Sequence, residues 1–302
     1  MPWIAVWDDH EFADKAFVTG AQNHDPATQG DWNARKNAAA QAYHEWLPTR
    51  TLISPTQQAW LLGAIGASPA TWQLIGNQQI MARLWFPASI LNAQAAAAAS
   101  PTPANLAALN AAFDDFLTAK ATRAAAGPGA LTPAQSALLS TATSPRLPYN
   151  LDSWDGYPAN REVVLQTVKS LNKRLVVLSG DSHNAWFNNF TTLAGEKAAV
   201  EFAGTSVSAP GFEGAGLGGF APYIDGSALV PQLGNGAVGA GLGLVDDVNF
   251  SETRRRGYLM ITVAADSVKG EYVFVSTEKS TTYTASVGRT LTVSATRGVG
   301  YA

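Results

Sequence analysis

The sequence predicts an α/β fold, and three observations predict it. Two apolar runs of strand length, Trp3 to Trp7 and Leu175 to Ser179, each end abruptly in acidic and histidine residues. A run with amphipathic helical spacing, Glu162 to Leu171, immediately precedes the second of them. The tail after Gly257 alternates with period two and has turn residues at short spacing, as antiparallel strands do.

Taken in order, Trp3 to Glu11 reads as a strand opening into a polar stretch with Gly20, Asp25, Pro26 and Gly30. Asp31 to Trp46 reads as a helix, capped by Asp31 and Ala-rich over Asn37 to Ala42. Ser54-Pro55-Thr56-Gln57 starts another helix with Pro in its first turn, and Trp60, Leu61, Ala64 and Ile65 share one face of it. Ser68-Pro69-Ala70 breaks that helix, and Trp72 to Gln78 reads as a strand entering a turn. From Pro87 to Ser144 Ala dominates, and Pro101, Pro103 and Pro133 punctuate the stretch. That pattern predicts a peripheral lobe of two or three short helices, with Phe113, Phe116 and Leu117 packing against the main body. Leu175 to Ser179 is apolar throughout, as a strand covered on both faces must be. Ala199-Val200-Glu201-Phe202 leads into a stretch that stays Gly-rich up to Leu244. It lacks the P-loop pattern and reads as a long surface loop, or alternatively as a rim of the site. Three strands close the chain: Gly257 to Val263, Gly270 to Val275 and Arg289 to Val293.

Composition excludes several functions. With 302 residues, 46% of them hydrophobic, the chain can bury one large core or two smaller ones. A formal net charge of -3, with Lys and Arg scattered apart from Arg254-Arg255-Arg256, predicts no nucleic-acid footprint. The absence of Cys rules out disulfides, thiolate ligands and Cys nucleophiles. No charged n-region precedes an apolar h-region, and no long apolar stretch predicts a membrane segment.

The chemistry concentrates at two strand ends. Asp8, Asp9, His10 and Glu11 would each be costly to bury unpaired, but carboxylates and imidazole suit a metal ion. Read alone, the cluster has a second, lesser reading as the acidic first turn of a helix. Gly180-Asp181-Ser182-His183-Asn184 repeats the pattern, and its alternation puts Asp181 and His183 on one side if the backbone stays extended. Sites in open α/β sheets gather at the carboxyl ends of strands. Gln78 and Asn184 are candidates to touch substrate or to support the ligands, with turn formation as the alternative. Arg254 to Arg256 reads as a solvated charge run, or as a lure for an anionic substrate. Trp154 and Tyr157 read as a packed aromatic pair, or as a rim. His24 and His44 read as solvated or capping residues.

Trp7-Asp8-Asp9-His10-Glu11, Gly76-Asn77-Gln78 after Trp72, Ser153-Trp154-Asp155-Gly156-Tyr157-Pro158, Gly180-Asp181-Ser182-His183, Thr205-Ser206-Val207-Ser208 and Arg256-Gly257-Tyr258 occur in one order. In that order they resemble the PhoD-like alkaline phosphatases, within the calcineurin-like metallophosphoesterases. The resemblance implies a four-layer α/β/β/α sandwich, with residues 1–302 as its C-terminal portion and an Ala-rich helical insertion at about 87–144. It implies a metal-dependent phosphoric ester hydrolase acting on phosphate mono- or diesters, with calcium and iron as the ions. Asp9 then takes the position of a metal ligand, with Asp8 as a further candidate. His10 becomes the catalytic histidine that donates to a phosphoryl oxygen and the leaving group, and Glu11 supports the site. Asp181 and His183 match the ligand pair of the last motif. The family's early Asp-bearing strand end and its Gly-Asp-x-x-Tyr segment are not found here, so an N-terminally truncated hydrolase is expected. The other reading is a catalytically inert fragment or partner module that keeps the second half of the fold. A missing half is expected to leave a sheet edge or apolar face exposed and prone to association. For the full-length protein the resemblance implies a periplasmic or extracellular location.

Overall fold

The computed structural model describes residues 13, 21–46, 55–150, 153–212, 221–224 and 243–295. The expected strand at Trp3 to Trp7, the cluster Asp8 to Glu11 and most of the Gly-rich stretch lie outside them. Helices α1 (Pro26–Gln29) and α2 (Trp32–Trp46) are capped by Asp25 and Asp31, whose carboxylates accept from Ala27 N at 3.0 Å and Ala34 N at 2.8 Å. Helix α3 (Pro55–Ala67) buries Ile65 but leaves Trp60 51% exposed, so its apolar face is narrower than the spacing implies.

Strand β1 (Gln73–Gly76) follows, and then β2 (Trp85–Pro87). The Ala-rich stretch forms α4 (Ala88–Ala99), α5 (Pro103–Ala126) and α6 (Pro133–Leu139). Not all of these are short, as α5 runs for 24 residues. Thr102 caps it by accepting from Asn105 N, Pro103 sits at its first position, and no breaker intervenes before Gly127 at φ 81°. Strand β3 (Arg146–Pro148) pairs with β2, and α7 (Pro158–Ser170) leads into β4 (Leu175–Ser179). Then come β5 (Ala185–Thr191), β6 (Lys197–Ala203), α8 (Ala221–Ile224), β7 (Val248–Glu252), β8 (Gly257–Val263), β9 (Ser267–Val275) and β10 (Ala285–Ser294).

Five strands form one mixed sheet in the order β1-β4-β6-β5-β7. Strands β1, β4 and β6 are parallel, whereas β5 runs antiparallel to both β6 and β7. On one face, Leu175, Val177, Trp186, Phe190 and Ala199 meet Val164, Leu165 and Val168 of α7 and a cluster with Ile90, Phe113, Phe116 and Leu117. On the other face, Val176, Phe187, Val200 and Phe202 meet Val268, Tyr272, Phe274 and Val293 of the sheet β10-β9-β8. Successive residues of β4 therefore enter different cores, which is why that strand is apolar throughout. The described residues thus stack a helical layer, a mixed sheet and an antiparallel sheet, and the fold is α/β. Leu74 on edge strand β1 and Tyr258 and Met260 on β8 are exposed. No described helix is long and apolar enough to cross a membrane.

Candidate metal-binding site

The carboxyl ends of the three parallel strands are stitched together by backbone hydrogen bonds. Asn77 N donates to Leu178 O at 2.9 Å, Gly180 N to Gln78 O at 3.2 Å and Gly204 N to Ser179 O at 2.9 Å. The turn after β1, the loop after β4 and the turn after β6 thereby form one surface. Asp181 and His183 are exposed on it, Gln78 lies in the adjoining turn, and Asn184 is buried beneath it. Asp8, Asp9, His10 and Glu11 lie outside the described residues. Among the described residues, no group of three or more His, Cys, Asp and Glu side chains is placed to hold a metal ion.

The loop 180–184 has an unusual backbone. Asp181 and His183 both sit at φ 60°, in the left-handed region, so the extended geometry that would put both side chains on one side by alternation is absent. That region costs an L-residue roughly 1–2 kcal/mol. Asn172, at φ 50°, is different: it follows α7, where such a residue commonly ends a helix. Asp181 and His183 end no helix, and both are exposed. Outlying backbone of this kind persists where surrounding contacts over-determine it, and it clusters at functional sites.

Those contacts are specific. His183 Nδ1 lies 2.8 Å from Pro210 O, and since a carbonyl only accepts, Nδ1 is the donor, which in the neutral ring leaves the lone pair on Nε2. Asn184 is fully buried: its Oδ1 accepts from Phe212 N at 3.2 Å, and its Nδ2 donates to Ser182 O at 2.5 Å. The Asn184 side chain thereby holds residues 210–212 against the loop. Trp186 Nε1 donates to Ser182 Oγ at 2.9 Å and its ring meets Phe212 edge-on, closing the loop from below. Gln78 is half-buried and contributes its backbone carbonyl to Gly180.

Two buried carboxylates brace the chain, Glu201 under the surface and Asp155 at β2. Glu201 on β6 is a residue that sequence patterning missed. It accepts from Met81 N at 2.7 Å, Ala82 N at 3.1 Å, Asn188 Nδ2 at 2.8 Å and the hydroxyl of Ser179, so it ties the chain after β1 to the end of β4. Burial pushes its pKa up, against the pull of those donors. A lone acid inside Ala199-Val200-Glu201-Phe202 was the available signal. Asp155, in the Ser153-to-Pro158 motif, accepts from Leu84 N at 2.9 Å and Trp85 Nε1 at 2.8 Å, which fastens β2. Its neighbours Trp154 and Tyr157 do not form the expected pair: Trp154 packs on the core, and Tyr157 is exposed.

The arginine triplet is solvated at Arg254 and Arg255, which are exposed, but not at Arg256. Arg255 pairs with Glu252 at 2.7 Å and stacks 4.1 Å from the Phe274 ring, while Arg256 is 4% exposed. His24 Nδ1 lies 3.2 Å from Arg35 Nη1, and the His24 ring packs edge-on to Trp32. The His44 side chain lies outside what is described.

The model of the PhoD-like phosphatase family matches residues 1–56 and 48–272. Alkaline phosphatase D of Bacillus subtilis (strain 168) is 28% identical over 169 residues, which cover 54% of this chain and 20% of that protein. A solved structure of PhoD is matched over 98% of this chain and 54% of that chain, with a TM-score of 0.57 and 20% identity. At that identity the structural likeness is one of fold, and the chain spans about half the length of the solved PhoD chain.

Proposed function

Because the chain belongs to the PhoD-like phosphatase family, we propose that it carries part of the active site of a metal-dependent phosphoric ester hydrolase. One observation carries this reading: an exposed imidazole, His183, has Nδ1 taken up by Pro210 O and Nε2 left to coordinate, in a loop held left-handed at Asp181 and His183. Metal-ligating histidines commonly donate their other ring nitrogen to a carbonyl in this way, which fixes tautomer and orientation. Carboxylate and imidazole together suit a hard or borderline cation, so these residues fit the group that the family implies.

On this reading Asp181 and His183 hold a metal together with Asp9 and Asp8. Calcium and iron are the ions that the family resemblance favours. When bound, a pair of such cations lowers the pKa of water and neutralises charge on the phosphoryl oxygens. His10 donates to a phosphoryl oxygen and protonates the leaving oxygen, while Glu11 and Asn184 hold neighbouring groups in place. Gln78 borders the phosphate. The substrate is a phosphate mono- or diester. Residues 1–302 form one partial metallophosphoesterase domain, with 87–144 inserted, and the working protein acts in the periplasm or outside the cell.

Hydrolysis of p-nitrophenyl phosphate and bis(p-nitrophenyl) phosphate, with Ca²⁺ and iron added, tests this. Asp9→Ala and His183→Ala should each lose at least about 100-fold in kcat/KM, and full activity in either variant would falsify the site assignment. The alternative, a non-catalytic module that keeps the fold, draws on the chain's spanning 54% of the solved PhoD chain. It predicts metal binding without turnover in the same assay.

A further inference from the structure

Three sequence motifs meet at one atom, the carbonyl oxygen of His183. It receives Thr205 Oγ1 at 3.0 Å, Ser206 N at 3.4 Å and Arg256 Nη1 at 3.4 Å. The same two side chains also reach Arg255 O, Thr205 Oγ1 at 2.9 Å and Arg256 Nη1 at 3.1 Å. A threonine hydroxyl has a single hydrogen, so it serves one carbonyl at a time. The guanidinium nitrogen has two hydrogens and can serve both.

The backbone on either side fixes where Arg256 sits. Val275 N donates to Arg256 O at 2.9 Å, and Gly257 N donates to Ser206 O at 3.0 Å. Gly257 has no room for a side chain: a Cβ would lie 2.9 Å from Phe274 Cα and closer still to Val273 O. Arg256 is thus pinned under the loop by the turn after β6 and by the start of β8. Turning His183 from φ 60° to a negative φ would swing its carbonyl off all three donors and its ring off Pro210 O.

We propose that Arg256, assisted by Thr205, is a positioning residue that clamps the His183 backbone so that Nε2 stays aimed for coordination. The charge of Arg256 acts here as a hydrogen-bond donor to the protein's own backbone. The inference rests on the reading of His183 as a metal ligand, and the test separates the two.

The full chain is titrated with Co²⁺, followed by its d–d absorption, as wild type, T205V, T205S, R256A and R256K. In the metal-free proteins, the ring ¹⁵N shifts of His183 report its tautomer. T205V and R256A should bind Co²⁺ about 10-fold or more weakly, as for loss of groups that support a ligand. Both should also show His183 averaging between tautomers, where wild type shows a fixed Nδ1–H form. T205S should restore wild-type behaviour and R256K only part of it, because an ammonium donates without the planar fork. Unchanged Co²⁺ affinity and an unchanged tautomer signature in folded T205V and R256A overturn the proposal. If R256A does not fold, the near-isosteric pair T205V and T205S decides it. If wild type fails to bind Co²⁺, the ligand reading falls, and the tautomer signature alone decides the clamp.

Discussion

Asp155→Asn should change how stability depends on pH, in a direction opposite to that of an ordinary ion-paired aspartate. Asp155 is 5% exposed, and burial pushes its pKa from 3.8 up to about 6. The bonds from Leu84 N and Trp85 Nε1 and the charges of Arg161 and Arg83 pull the other way without reversing the shift. The folded state therefore binds the proton more tightly than the unfolded chain does. Stability from this group is fully present below the unfolded pKa and is lost as pH rises through the folded one. About two units correspond to about 3 kcal/mol, with no discount for solvent at so buried a site. Asn cannot ionise, but it must turn an NH₂ towards one of the two donors, a pH-independent cost of about 1–3 kcal/mol. Urea unfolding of both proteins, from about pH 3.5 to 7.5, isolates the group, because other titrations cancel in the difference. Wild-type stability minus that of D155N should stay level below about pH 4, fall by about 3 kcal/mol by about pH 6.5, and then level off. A flat difference would refute the reasoning. A difference that rises with pH would show instead that Arg83 and Arg161 dominate over burial.

Two further outcomes test the packing. Gly257→Ala should cost at least about 2 kcal/mol in thermal or urea unfolding, because its Cβ meets the backbone of Val273 and Phe274 rather than a movable side chain; stability within about 0.5 kcal/mol of wild type would contradict the close pairing of β8 and β9. Phe113→Ala should cost about 3–5 kcal/mol, since the ring is fully buried and stacks 4.0 Å from Tyr223 at an interplanar angle of 8°. A loss below about 1 kcal/mol in the same assay would mean that α5 is not part of the main core.

Where a pattern is carried by neighbours in sequence, the chain declared it. The apolar run of β4, the cap at Asp31, and the Asp-and-His strand end at Asp181 and His183 all follow from local spacing, and the structure puts that strand end beside Gln78. Strand β5 was not legible, because Asn188 and Asn189 at its centre have the character of turn residues. Asn188 is tolerated there because a fully buried Glu201, on the neighbouring strand, accepts its amide. Arg256 likewise stood in a charged triplet and gave no local sign that it would end up buried beneath a carbonyl 73 residues away. The sequence by itself determined the α/β class, the main helices, several of the strands and the donor chemistry at the end of β4. Only the tertiary structure decided which buried polar groups satisfy one another, which loop backbone is forced left-handed and which arginine is sequestered. Periodicity is a property of adjacent residues, whereas the partner of a buried charge is chosen by the whole packed chain.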